Sequence, residues 1–103
     1  MPTNVTPEYK KAEEAYRQAL AIEARLLDQF SDRTESLEER ARAHNNLGVL
    51  LASMKRNADA EEAFLAARDH WQHLVDQSER PSDYLHHLVT SHVNLANLWL
   101  EID

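Results

Sequence analysis

Ala12-Glu13-Glu14-Ala15-Tyr16 and, 48 residues further on, Ala60-Glu61-Glu62-Ala63-Phe64 are one motif written twice. The likeness spreads from there. Ala19 meets Ala67; Leu26, Asp28 and Gln29 meet Leu74, Asp76 and Gln77; Leu37 meets Leu85. His44, Asn46, Leu47 and Leu50 meet His92, Asn94, Leu95 and Leu98. Of the 44 pairs that start at residues 12 to 55, 13 are identical, and no gap is needed. A fixed period of tens of residues marks stacked supersecondary units, each too small to bury its apolar face alone.

Each unit reads as two helices, expected at about 7–30, 37–54, 58–78 and 83–101. Thr6-Pro7-Glu8 opens the first, with a hydroxyl cap, proline at the first helical position and an acid in the first turn. Ser31-Asp32-Arg33-Thr34 breaks it, and Ser36-Leu37-Glu38-Glu39 has capping-box spacing for the second start. Lys55-Arg56-Asn57 and the stretch 78–82, which contains Pro81, mark the later breaks. Composition agrees: one Gly and three Pro in 103 residues are too little punctuation for an all-β fold, while 43% apolar content supplies a core. The fold class is all-α. Short connections between helices of about 20 residues force antiparallel neighbours, so the product is a stack of helical hairpins.

Ala12, Ala15 and Ala19, like Ala60, Ala63 and Ala67, fall at i, i+3 and i+7 on one helical face, where small side chains admit a close neighbour. Tyr16 and Phe64 fill the space beside them. Gly48 lies mid-helix, at a cost of about 1 kcal/mol relative to Ala. Its copy is Ala96, so the position asks for a small residue.

Leu47-Gly48, Leu51, Ala60, Phe64 and Ala67 resemble the tetratricopeptide signature, in which L-G-x-x-Y precedes A-x-x-x-F-x-x-A. Ala12, Tyr16 and Ala19 match its second half one unit earlier; Leu95, Ala96 and Trp99 match its first half one unit later. The period of 48 exceeds the usual 34, as if both helices were lengthened, and the closing proline of a standard unit has no counterpart. Long units with Asn45-Asn46-Leu47-Gly48 or Asn94-Leu95-Ala96 resemble kinesin light chain repeats. The string from Glu14 to Ile22 also resembles repeat tracts of bacterial serine/threonine kinase-associated proteins. The resemblance implies a right-handed solenoid, with residues 1–103 as one repeat domain cut from a larger array. In that register the chain opens on the second helix of one unit and closes on the first helix of another. Both terminal helices then lack a pair partner, an arrangement in which arrays normally carry polar caps.

In such stacks the first helix of each unit lines the concave surface. Arg42, Asn45, Asn46, Val49 and Ser53 form a stripe there, and Thr90, Asn94, Asn97 and Glu101 repeat it. Asparagine is a weak helix former, so propensity does not account for it. Its amide offers donors and an acceptor, and can hold both N–H and C=O of an extended peptide. The resemblance implies that use for Asn46 and Asn94, and the stripe extends the candidate peptide-binding set to Arg42, Asn45 and Asn97.

Other chemistries are poorly supplied. The absence of Cys removes disulfides and thiolate metal sites. It leaves the compartment open, with the cytoplasm the expectation. Net charge is −7; residues 1–52 carry 7 Lys/Arg against 9 Asp/Glu, and residues 53–103 carry 4 against 9. Phosphate-backbone binding needs clustered basic residues, so no nucleic acid is expected. No apolar run suits a membrane span. His73 and His87 lie equidistant from the third loop and form the one metal alternative, but zinc asks for three or four ligands and no carboxylate completes the set. Glu13-Glu14, Glu38-Glu39 and Glu61-Glu62 are neighbours in sequence, so each pair points apart on a helix. No Gly-rich phosphate loop or hydrolase motif is present. The reading is a non-enzymatic scaffold, without cofactor, that binds a protein or peptide. The alternative is a structural module that self-associates, as a homodimer, through its exposed end helices.

Overall fold

Helical periodicity and the scarcity of breakers yield four rods. The computed structural model describes residues 7–29 and 34–101, with the side chains of residues 23, 26–29 and 34–36 outside that description. Among the described residues lie α1 (Pro7–Gln29), α2 (Thr34–Ser53), α3 (Asn57–Gln77) and α4 (Ser82–Glu101), and no strand. The expected cap at Thr6 and most of the expected break at 31–34 fall outside them. Helix α2 begins at Thr34, three residues earlier than the capping-box spacing suggests, so Ser36 sits inside its first turn. Nothing in Thr34-Glu35 opposes helix, and an acid there suits the positive end of the dipole.

The α2–α3 turn is closed by backbone bonds. Lys55 takes φ 62°, and its N–H reaches Ala52 O at 3.0 Å while Arg56 N–H reaches Leu51 O at 2.9 Å. This is a Schellman closure with Lys where Gly is usual. Arg56 then stands at the start of α3 without a side-chain cap. Its guanidinium instead bonds Asp59 at 2.8 and 3.1 Å and crosses to Glu13 of α1 at 2.7 Å. These ion pairs are half-buried, and the one to Glu13 ties α1 to the α2–α3 turn. After α3, the Ser78 hydroxyl accepts from Arg80 N–H at 2.9 Å, and Pro81 O accepts from Tyr84 N–H at 3.0 Å to start α4.

The helices pack in chain order, α1 on α2, α2 on α3 and α3 on α4, within 48 × 29 × 16 Å. Helix α3 therefore has a neighbour on each side. Its Ala60, Ala63 and Ala67 are 0%, 5% and 0% exposed. One core cluster joins Ala60 and Ala63 to Leu47, Leu51, Met54, Phe64, Leu95 and Leu98. A second joins Ala41, Trp71, Leu74 and Leu88, with Leu37 and Tyr84 against it. Helix α1 supplies only partly buried Tyr16 and Leu20 to the first cluster. Its Ala15 and Ala19 are exposed although their copies are buried, because α1 lacks a second flanking helix of the kind that α4 gives α3. The close approach expected of both alanine stripes is realised in α3. No described helix is long and apolar enough to cross a membrane.

Gly48 shows why smallness matters at its position. A Cβ built there would lie 2.6 Å from both Cδ1 and Cε1 of Phe64, which is 3% exposed and has little room to move. Gly48→Ala gains about 1 kcal/mol in helix propensity but overpacks the core, a change that costs about 1–3 kcal/mol. The expected net result is a lower urea midpoint. A raised midpoint would show that Phe64 gives way freely.

Candidate functional site

Helices α2 and α4 stand side by side with α3 behind them, and the two asparagine stripes meet along the seam. Asn94 Nδ2 donates to Asn45 Oδ1 at 2.6 Å, joining α4 to α2 at half depth. Nearer the start of α4, the Tyr84 hydroxyl hydrogen-bonds Glu38 of α2, and that bond raises the phenol pKa above its ordinary value.

On one side of the Asn45–Asn94 bridge lies a cavity of about 230 Å³ lined by Arg42, Asn45, Asn46, His87, Thr90 and Ser91, with Trp71 as its wall. On the other side lies one of about 300 Å³, where Asn94, Asn97, Val49 and Ser53 meet Lys55 and Glu101 over Phe64 and Leu98. All five candidate peptide-binding residues border one or the other, with Arg42, Asn46 and Asn97 exposed and Asn45 and Asn94 half-buried. The bridge uses a donor of Asn94 and an acceptor site of Asn45, so these two amides also hold the seam together. The asparagines thus divide into two that brace the groove and two, Asn46 and Asn97, on its open surface.

Trp71 belongs to this site as much as to the core. It is 2% exposed and carries the His87 ring stacked at 4.2 Å and 11°. The Arg42 guanidinium sits 5.7 Å above its centroid. Such a contact contributes about 0.5–1 kcal/mol and fixes the cation. The place of Trp71 at the groove is not legible in the sequence. Its second role depends on how α3 crosses behind α2, which no local motif reports. Lys55 was likewise unforeseen: it reads as a break residue, and the left-handed turn brings it to the groove.

The histidines separate into two groups. His87 is turned onto Trp71 and, at 3.9 Å, onto His86, while His73 is exposed. Among the described residues no group of three or more His, Asp or Glu is placed to hold a metal ion. Burial, then the charges of His86 and Arg42, lowers the His87 pKa. His44 lies half-buried 5.3 Å from His70, behind the groove. Its copy His92 is exposed, since α4 has no helix on that flank.

No family model, no curated protein and no solved structure matches this chain.

Proposed function

We propose that the chain is a tetratricopeptide-like solenoid segment that holds an extended stretch of protein in the α2–α4 groove and catalyses nothing. It serves as a regulatory part of a larger protein, as the likeness to kinase-associated repeat tracts implies. One observation supports the groove above all others. Arg42, Asn45 and Asn46 on one helix and Asn94 and Asn97 on another, two units of a 48-residue repeat, border two cavities joined at a single amide–amide bond. Amide side chains along such a seam hold peptide backbone with little regard for sequence. Arg42 at one cavity favours an acidic side chain of the partner there, while at the other Lys55 is accompanied by Glu101.

The test is a selection of displayed random peptides on the folded chain. Binders are expected to lose about tenfold in affinity on Asn46→Ala and again on Asn97→Ala, the worth of roughly one hydrogen bond each. Both residues are exposed, so the fold is kept. Selected peptides that bind both variants as tightly as the parent would remove the groove from consideration.

A further inference from the structure

Ser91 is 1% exposed and lines the cavity of about 230 Å³ beside Trp71. Its hydroxyl forms no hydrogen bond among the described residues. A buried hydroxyl is costly to leave unpaired, so this one favours a polar group entering the cavity. Arg42 lines the same cavity, held over the Trp71 ring and without an ion pair among the described residues. Glu38, one turn earlier on α2, is bonded by the Tyr84 hydroxyl instead. Burial, His86 and Arg42 lower the His87 pKa, so its imidazole is neutral at pH 7. Arg42 is then the one cation among the lining residues, and none of them is a carboxylate. Asn45 gives only its oxygen to the bridge and keeps its N–H groups, while Thr90 turns its proton to His86 O. Donors exceed acceptors on this wall, and one donor is charged. The complement is a single carboxylate. A phosphate dianion would find one cation there and Glu38 a turn away. The repeat does not copy the cavity either: Arg42, Trp71 and Ser91 pair with Thr90, Glu23 and Ala43.

The second cavity lies seven residues further along both helices, from Arg42 and Asn46 to Val49 and Ser53 and from Thr90 to Asn97. That is about 10 Å at 1.5 Å per residue. Its floor is Phe64 and Leu98, each 3% exposed, with Val49 open at the edge. An extended chain covers about 10 Å in three residues, and in the polyproline II form residues three apart point the same way. We propose that the groove reads a segment with two anchors three positions apart. One is an Asp or Glu whose carboxylate enters between Arg42 and Ser91; the other is a large apolar residue seated over Phe64 and Leu98. This presumes that a peptide occupies the α2–α4 groove, and adds which kind. Arginine and carboxylate pair in a fixed geometry, and Trp71 already holds the guanidinium in place. With a net charge of −7 the chain as a whole repels acidic segments, so the acid is recognised singly.

Peptides selected from a displayed random library on the full chain are expected to share one acid and one Leu, Ile, Met or Phe three positions apart. A labelled selected peptide is then titrated by fluorescence anisotropy. Replacing its acid by the corresponding amide is expected to weaken binding about tenfold. Arg42→Gln is expected to do the same, and both changes together no more than either alone. Ser91→Ala is expected to cost about threefold with the acidic peptide and nothing with its amide form. Arg42 is exposed and the peptide change leaves the protein untouched, so neither loss reflects unfolding. Peptides that depend on Asn46 and Asn97 but share no acid, or ignore Arg42→Gln, would overturn this pattern and leave the groove standing. Enrichment of the two anchors at another spacing would sink the two-cavity arrangement. A phosphoserine in place of the acid that binds tenfold tighter would reassign the Arg42 cavity to phosphate. A library that yields no binder removes the groove and this pattern together.

Discussion

Trp71→Ala is expected to remove about 3–5 kcal/mol of folding free energy, the usual cost of truncating a buried aromatic. The side chain is 2% exposed and sits where three helices meet: Ala41 from α2, Leu74 from α3 and Leu88 from α4 share its cluster. Tyr84 and His87 of α4 stack on it at 6.3 and 4.2 Å. None of these neighbours can fill the space without leaving its own helix, so the cavity persists and its cost is added to the lost transfer energy. A domain of this size holds about 5–15 kcal/mol in all, so the variant loses about a fifth or more of its margin. Trp71→Phe keeps a ring between Leu74 and His87 and is expected to lose less than half as much. Urea denaturation followed by circular dichroism measures both. A loss below about 1 kcal/mol for the alanine variant would mean that α2, α3 and α4 do not converge on this residue.

The same residue shows how far the sequence carried the structure. Helix content and the two later breaks were legible because they depend on local chemistry: Lys55-Arg56-Asn57 and Pro81 act within a turn of themselves. The place of Asn46 in the polar stripe was legible because Asn94 repeats it at the 48-residue period. The bond between Asn45 and Asn94 was not, since the repeat pairs Asn94 with Asn46 and the helix stagger decides which amide is met. Equally hidden was the fate of the two alanine stripes. Identical residues at 15 and 63 differ in burial because α3 is packed between α2 and α4 while α1 packs chiefly on α2. Periodicity names the face but not whether anything covers it. The break at Lys55 was legible but its form was not: Lys55 closes it in the left-handed region where Gly is usual, because the chain's single glycine stands at position 48.

Stability is expected to fall as pH drops from 6.5 towards 5, with His44 the largest single cause. Burial, then the positive charges of His70 and Arg40, lowers its pKa from 6.5 to about 4. Its Nδ1 and the Arg40 Nε are buried without a hydrogen-bond partner among the described residues, so the imidazolium has no acceptor waiting. Arg17, Asp59 and Glu62 line the adjoining cavity of about 280 Å³. His70 shifts downward too, by burial and Arg40, with Asp69 opposing and His73 assisting. In the unfolded chain each imidazole titrates near 6.5. Below that pH the unfolded state binds protons that the folded state refuses, and stability declines until His44 itself titrates near 4. A full shift from 6.5 to 4 corresponds to about 3 kcal/mol, and allowance for its partial exposure to solvent brings this to about 2. Urea midpoints at pH 7.5, 6.5, 5.5 and 5.0 measure the decline above the range where most carboxylates titrate. His44→Leu removes the titrating group and keeps an apolar side chain in its place. Its curve is expected to stay about 1–2 kcal/mol flatter than the parent's across that interval. Parallel curves would mean that protons enter elsewhere and that His44 is hydrated in the folded chain. A steeper curve for the variant would require the folded chain to prefer the imidazolium.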